Sequence, residues 1–181
     1  MVLVFGMLVV NNFYCAFIDH GVTFFSDGKI GPCSHINTKY LVPLDKLQNE
    51  NRFDYVRDNY IDACEVCIRH ENNGVPIYRA NEKINLDTNI VKFIDIQNSN
   101  ECNLKCRTCG PHASNKWAKE LGVDSNITNI DAQLAMIISK ETEWIRITGG
   151  EPLINKNTGY YYNNLLIKVT VKILGYDITL I

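Results

Sequence analysis

The chain has 181 residues, of which 46% are hydrophobic and 21% charged, proportions typical of a globular protein and not of a disordered one. Its net charge is −2 and no segment concentrates Lys and Arg, so the sequence predicts no nucleic-acid partner and no anionic membrane partner. The first ten residues are apolar, but they lack the basic start and cleavage site of a signal peptide and are too short to span a bilayer.

The cysteines point to metal chemistry. There are seven, an odd number that argues against a closed set of disulfides and favours metal ligation in a reducing compartment, so we expect a cytoplasmic protein. They divide into a group of three and a group of four. Three are set close together at Cys102, Cys106 and Cys109, and four precede them at Cys15, Cys33, Cys64 and Cys67.

A strand, turn, strand pattern predicts a β-hairpin in the N-terminal part of the chain. Apolar residues from Phe13 to Ile18 and from Val22 to Phe25 predict strand structure before a turn at residues 26–29, and Ile30 continues it after the turn. Asp27-Gly28 is a strong turn signal because glycine adopts the positive φ that hairpin turns require. Cys15 and Cys33 flank this pattern. The hairpin therefore brings two cysteines toward each other.

A weaker helical pattern runs from Pro43 to Asp62 and leads into Cys64-Glu65-Val66-Cys67. A C-x2-C segment lets two thiolates converge on one metal centre, so with Cys15 and Cys33 the sequence predicts a four-thiolate site. Structural zinc is one interpretation of such a set and an iron-sulfur cluster is another. Free cysteines buried as small apolar side chains are a third.

Ile90 to Gln97 is a nearly continuous apolar run that predicts a parallel strand covered on both faces. A short loop then leads to the spacing C-x3-C-x2-C at Cys102, Cys106 and Cys109. Thiolates are soft ligands that select zinc, copper(I) or iron-sulfur clusters, and a four-iron cubane held by only three of them keeps one iron free for a substrate or cofactor.

Two helices and another strand are predicted after the cysteines. The first helix is expected to open near Pro111 and to end at Gly122, and the second to begin with Asp131 as its N-cap. Residues 143–148 then predict a strand that ends at Gly149-Gly150-Glu151-Pro152. This order is typical of the βα repeats of a parallel barrel, in which sites gather at the carboxyl ends of the strands.

The three-cysteine spacing, followed about forty residues later by Gly149-Gly150-Glu151-Pro152, resembles the radical S-adenosylmethionine (SAM) enzymes. The resemblance implies that Cys102, Cys106 and Cys109 bind a [4Fe-4S] cluster whose free iron is chelated by SAM. It also implies cofactor binding by Gly149, Gly150, Glu151 and Pro152, with Glu151 near the amino group of SAM. Reduction of the cluster, by a partner such as flavodoxin or ferredoxin, then yields a 5'-deoxyadenosyl radical.

Three other residues lie in the three-cysteine loop or shortly after it. Thr108 stands where the family usually has an aromatic residue before the third cysteine. Trp117 lies on the apolar side of the first predicted helix, a position more typical of a core residue than of a ligand contact. His112 is close enough in sequence to lie around the cluster loop.

The N-terminal block resembles the SPASM/twitch domains of radical SAM proteins, which hold an auxiliary [4Fe-4S] cluster. The resemblance lies in the pattern C-x12-G-x4-C, in the C-x2-C segment, in Glu71-Asn72-Asn73-Gly74 and in Tyr78-Arg79. It implies that Cys15, Cys33, Cys64 and Cys67 bind a second cluster, that a peptide or protein is the substrate, and that residues 1–85 form an auxiliary domain before a core at 86–181.

Chain length limits the predicted barrel. A βα unit takes roughly 30 residues and six of them need on the order of 200, whereas about ninety follow Ile90. The sequence thus predicts an α/β fold, an incomplete radical SAM barrel of a few βα units preceded by a small Cys-rich domain of a β-hairpin and a helix. Two hypotheses stay open: a radical SAM enzyme or its N-terminal part, and a non-catalytic zinc or iron-sulfur module or inactive relic.

Overall fold

The computed structural model of the chain describes residues 15–77, 90–97, 99–124, 129–154, 170–173 and 176–179. The apolar first ten residues, Phe13 and Tyr78-Arg79 lie outside the described residues. The helices are α1 (Ala16–His20), α2 (Asp54–Asp58), α3 (Tyr60–Ala63), α4 (Glu65–Asn72), α5 (Asn115–Leu121) and α6 (Asp131–Ile137). The strands are β1 (Gly21–Phe25), β2 (Lys29–Gly31), β3 (Val42–Pro43), β4 (Phe93–Gln97), β5 (Trp144–Ile147), β6 (Thr170–Ile173) and β7 (Tyr176–Thr179).

These strands form one open sheet in the order β3-β2-β1-β4-β5-β6-β7. The four central strands, β1, β4, β5 and β6, run parallel, and the pairs β1/β2, β2/β3 and β6/β7 are antiparallel. The predicted α/β class is confirmed. Strands from both parts of the chain share this sheet, and the division into domains 1–85 and 86–181 stays a prediction.

The core follows from the alternation of side chains along the central strands. Ile94, Ile96, Ile145 and Ile147 are at most 2% exposed and point to one face. On the other face, Phe93 packs between Phe17 of α1 and Trp144 of β5, with ring centroids 5.0 and 5.4 Å away. Both faces of β4 are therefore covered, as its apolar run predicts.

The hairpin prediction is confirmed between β1 and β2, with Gly28 in the turn at φ 77°. The strand predicted from Phe13 to Ile18 is wrong for its described part, because α1 begins at Ala16. Ile18 N–H bonds to the carbonyl of Cys15 at 3.0 Å, and four of the five residues of α1 are buried. A helix of five residues that is almost entirely buried shows no periodic alternation of apolar and polar residues that could distinguish it from a strand.

The helix predicted over Pro43 to Asp62 is interrupted. The structure has a 3-10 turn at Leu44–Lys46 and then the short helices α2 and α3. Between the 3-10 turn and α2, the side chain of Asn49 accepts a hydrogen bond from the backbone N–H of Asn51 at 3.0 Å. Such a side-chain turn competes with helical hydrogen bonding and explains the break.

Two helix starts also differ from the prediction. Helix α5 begins at Asn115, not at Pro111, because Ser114 adopts an extended backbone and its hydroxyl is engaged with Leu104. Asp131 is the first residue of α6, and its predicted N-cap position is occupied by Ile130. The end of α5 at Gly122 is confirmed by a left-handed φ of 62°. Among the described helices, none has the length and apolarity needed to cross a membrane.

Candidate metal and cofactor site

The three-cysteine loop leaves the carboxyl end of β4, the edge at which parallel α/β folds place their sites. Cys102 is half-buried, and Cys106 and Cys109 are exposed; all are free thiols. The N–H of Cys109 donates to the carbonyl of Cys106 at 3.1 Å, which closes a tight turn between the two. Two of the three thiols are thus accessible to a metal centre on one short turn.

Buried polar residues fix the backbone of this loop. Asn100, 2% exposed, donates to the carbonyl of Pro111 at 3.0 Å. Ser114, 1% exposed, donates to the carbonyl of Leu104 at 2.9 Å. The side chain of Asn115 accepts from the N–H of Cys102 at 3.4 Å. The start of α5 is therefore attached to the loop on both sides of its first cysteine.

The glycine pair lies directly against the loop that precedes Cys102. Thr148 N–H donates to the carbonyl of Ile96 at 2.8 Å, so the pairing of β5 with β4 continues to the residue before Gly149. A Cβ on Gly149 would lie 2.6 Å from the carbonyl oxygen of Ser99, and one on Gly150 would collide with the backbone of Glu101. With φ values of 80° and 54°, both positions require glycine.

The rest of the Gly-Gly-Glu-Pro segment is anchored in the same place. The N–H of Glu151 donates to the carbonyl of Glu101 at 2.8 Å. The Glu151 carboxylate accepts from the N–H of Leu153 at 3.3 Å, and Pro152 is buried. The two sequence motifs, fifty residues apart at Glu101 and Glu151, are thus joined through their backbones.

A cleft of about 240 Å³ opens beside these motifs at the carboxyl ends of β1, β4 and β5. Its walls combine polar side chains with one phenyl ring and the backbone of the first glycine. They are formed by Phe25, Ser26, Gln97, His112, Ala113, Arg146, Thr148 and Gly149. His112, predicted only to lie around the cluster loop, is an exposed side chain of this cleft.

The four N-terminal cysteines come together on the face of the sheet that carries Phe93 and Trp144. Cys15, Cys33 and Cys67 line one cavity, and Cys15 and Cys64 are buried. Burial raises the pKa of the Cys33 thiol far above its ordinary value, and the neighbouring thiols of Cys15, Cys67 and Cys64 raise this pKa further. The thiols of Cys15, Cys64 and Cys67, from two other segments of the chain, are therefore near enough to affect the ionisation of Cys33.

Asp95 and Arg146 face each other on β4 and β5, and both line this cavity. Asp95 is 4% exposed and accepts from Thr148 at 3.1 Å, from Gln97 at 3.2 Å and from the Arg146 guanidinium. Arg146 also donates to the hydroxyl of Ser34 at 2.6 Å and contributes to the walls of both spaces. The sequence analysis did not single out this pair, although a lone charge inside each of two apolar strands is the signal that could have revealed it.

The pKa of His35, beside the four-thiol cavity, is lowered from its usual range. Burial is the main cause, and the positive charge of Arg146 adds to it. Across the described residues, no three His, Cys, Asp or Glu side chains are already arranged around a common metal position. The structure thus brings the four N-terminal thiols into one neighbourhood and holds the other three on one loop, while their role as ligands stays a prediction.

Comparisons with known proteins agree with an iron-sulfur function for the second half of the chain. Residues 97–180 match the family model described as a 4Fe-4S single cluster domain, a range that contains Cys102, Cys106, Cys109 and the glycine pair. Cys15, Cys33, Cys64 and Cys67 precede the matched range.

The curated relatives match a shorter segment. The chain is 43% identical over 60 residues to proteins named GTP 3',8-cyclase 3 from Mycobacterium bovis and Mycobacterium tuberculosis. The match covers 32% of this chain and 15% of each relative, so it spans only a small part of their length. No solved structure matches the chain significantly.

Proposed function

We propose that the chain is a radical SAM protein, or the N-terminal part of one, in which Cys102, Cys106 and Cys109 hold a [4Fe-4S] cluster. The observation that carries the proposal is the contact of Gly149 and Gly150 with the backbone at Ser99 and Glu101, immediately before the first of these cysteines. The match of this region to 4Fe-4S single cluster domains supports it.

The residues present fit such a cluster by their chemistry. Three thiols on one loop are soft donors, and they leave a fourth coordination position to a cofactor. When bound and reduced, the cluster would supply the electron that cleaves SAM to methionine and a 5'-deoxyadenosyl radical. What the protein itself contributes is a fixed loop, because Asn100, Ser114 and Asn115 hold its backbone.

The cleft at the strand ends is the proposed position of SAM. The backbone of Gly149 forms part of its wall, and Gln97 and Thr148 offer amide and hydroxyl groups to the polar atoms of a ligand. Glu151 and Pro152 complete the segment that the resemblance assigns to the cofactor. Phe25 gives the same cleft an apolar wall, against which an adenine ring can pack.

A second cluster is proposed at Cys15, Cys33, Cys64 and Cys67. Four thiols suit either a [4Fe-4S] cluster or a structural zinc ion. The mutual effect of the thiols on the pKa of Cys33 supports a shared centre, because it requires them to be close together. Arg146 lies in the wall of this cavity, where its positive charge would stabilise an anionic centre.

Partners and substrate follow from the resemblance. A flavodoxin or ferredoxin would supply the electron, in a cytoplasmic setting that keeps the thiols reduced. A peptide or protein is the proposed substrate class. The printed name of the curated relatives refers to GTP, which makes a purine nucleotide the comparison compound in a substrate test.

Anaerobic reconstitution of the whole chain with iron and sulfide tests the proposal. We expect about eight irons per chain, and release of 5'-deoxyadenosine when SAM and dithionite are added. Cys102→Ala should lose about half of the iron and all of the SAM cleavage, whereas Cys33→Ala should lose the other half of the iron. Stoichiometric zinc without iron would contradict the proposal and indicate a structural metal-binding module. Iron without SAM cleavage would indicate an inactive relic.

A further inference from the structure

We infer that Trp117, on helix α5, is a positioning residue that sets the geometry of the turn between Cys106 and Cys109. The inference rests on the proposed function and deepens it, because this turn carries two of the three proposed ligands. The apolar position of Trp117 in the sequence predicts a core residue. In the structure the side chain is instead half-buried, and its indole N–H donates to the carbonyl of Cys106 at 2.9 Å.

The carbonyl of Cys106 is the point where the turn is fixed. It accepts from the N–H of Cys109 at 3.1 Å and from Trp117 at 2.9 Å, which uses both of its lone pairs. Two hydrogen bonds from different directions define the plane of the peptide that follows Cys106. Since that plane determines where Cys106 and Cys109 stand relative to each other, Trp117 acts on the spacing of the ligands without contacting a sulfur.

A second contact ties the loop to the same ring. The Lys105 ammonium lies 4.6 Å from the centroid of the Trp117 ring and also pairs with Glu120, one turn further along α5. Lys116 donates to the carbonyl of Asn103. Helix α5 therefore holds the residues on both sides of the loop's centre, and only Trp117 reaches the turn that joins Cys106 to Cys109.

Trp117→Phe separates positioning from packing, because it keeps an aromatic ring under Lys105 and removes the N–H. Lys105→Met is the complementary variant, which removes the cation and keeps the donor. Lys119→Met, an exposed change on the same helix, is the matched control.

The first measurement is amide hydrogen exchange in the metal-free chain. We expect exchange in residues 103–110 to be about two- to tenfold faster in Trp117→Phe, the range that one net hydrogen bond corresponds to, and unchanged in Lys119→Met. Equal exchange in the wild type and Trp117→Phe would overturn the inference. This readout needs no cluster, so it decides the inference even if the wild type binds no iron, a result that would count against the proposed function alone.

The second measurement is made on the reconstituted protein. In Trp117→Phe we expect an altered electron paramagnetic resonance signal of the reduced three-cysteine cluster and a faster loss of iron in air. The melting temperature of the metal-free chain should fall by no more than about 2–4 °C, the shift that the loss of one hydrogen bond corresponds to. A signal identical to that of the wild type would mean that the turn is set without Trp117 and would contradict the inference.

Discussion

At the scale of single residues, the glycines differ in what surrounds them, although several share a left-handed backbone. Gly150 has a φ of 54° and its missing Cβ faces the backbone of Glu101, whereas Gly122, with a φ of 62°, has open space around it. The conformational cost of alanine is similar at both, but only Gly150 adds a collision with the backbone.

We therefore expect Gly150→Ala to lower the free energy of unfolding by more than the roughly 1–2 kcal/mol that alanine at a left-handed position costs. Gly122→Ala should show only that conformational cost. Urea titrations of the two metal-free variants measure the difference. Equal losses would mean that the loop at Glu101 moves aside easily, and that the glycine pair is not held against it.

The seven thiols should also differ in reactivity. A thiolate is the reactive form, so a half-buried thiol with a raised pKa, such as Cys33, reacts slowly, and the exposed Cys106 and Cys109 react faster.

We expect iodoacetamide to modify Cys106 and Cys109 at least about tenfold faster than Cys33 in the metal-free chain at neutral pH. Peptide mass spectrometry at timed intervals measures the order. In urea the seven rates should converge, and a similar convergence without urea would contradict the raised pKa and lower accessibility of Cys33.

At the scale of secondary-structure elements, the ion pair between Asp95 and Arg146 joins β4 and β5, the two strands whose ends carry the candidate site. Breaking a buried ion pair leaves one charge without its partner, which costs about 3–5 kcal/mol when both groups are fully enclosed. Arg146 is 28% exposed, so the expected cost lies at or just below the lower end of that range.

We expect Arg146→Met to destabilise the chain by about 2–3 kcal/mol and the double variant Asp95→Leu/Arg146→Met to recover part of the loss, because the second change removes the stranded charge. Lys92→Met is the matched control. It breaks the 3.0 Å pair with the half-exposed Glu143 between the same strands and should cost about 1 kcal/mol or less. Full additivity of the two changes would contradict the coupling.

Elements that depend on local chemistry were predicted from the sequence, and those that depend on distant contacts were not. The Asp-Gly turn and the apolar runs of β4 and β5 carry their own signals, so these strands lie where the sequence placed them. Helix α1 has only five residues, packs on the sheet through Phe17 and has no amphipathic pattern that could have predicted it. Trp117 was interpreted as a core residue because nothing in the spacing of α5 shows that a carbonyl eleven residues earlier needs its N–H.

At the scale of the whole molecule, the sheet joins the two predicted domains. β1 pairs with β4 over five residues, from Gly21 with Phe93 to Phe25 with Gln97. β1 lies in the segment predicted to form the auxiliary domain, and β4 in the predicted radical SAM core. Elements that share a continuous hydrogen-bonded ladder are expected to open together.

We thus expect the amides of β1 and β4 to show the same opening free energy in hydrogen exchange under increasing urea. The measurement requires only the metal-free chain, with the amides of α4 as an internal comparison for local opening. Two separate free energies would contradict the cooperative sheet and support the division of the chain at residues 85 and 86.

Arg146 belongs to two walls at once, since the same guanidinium borders the thiol-lined cavity and the cleft at the strand ends. A substitution that enlarges the cleft for a bulkier ligand would at the same time reshape the other compartment and leave Asp95 without its cation. A change of Arg146 that alters ligand preference in the cleft therefore also alters the thiol-lined cavity. An engineered change in specificity at this position needs a compensating change in that cavity.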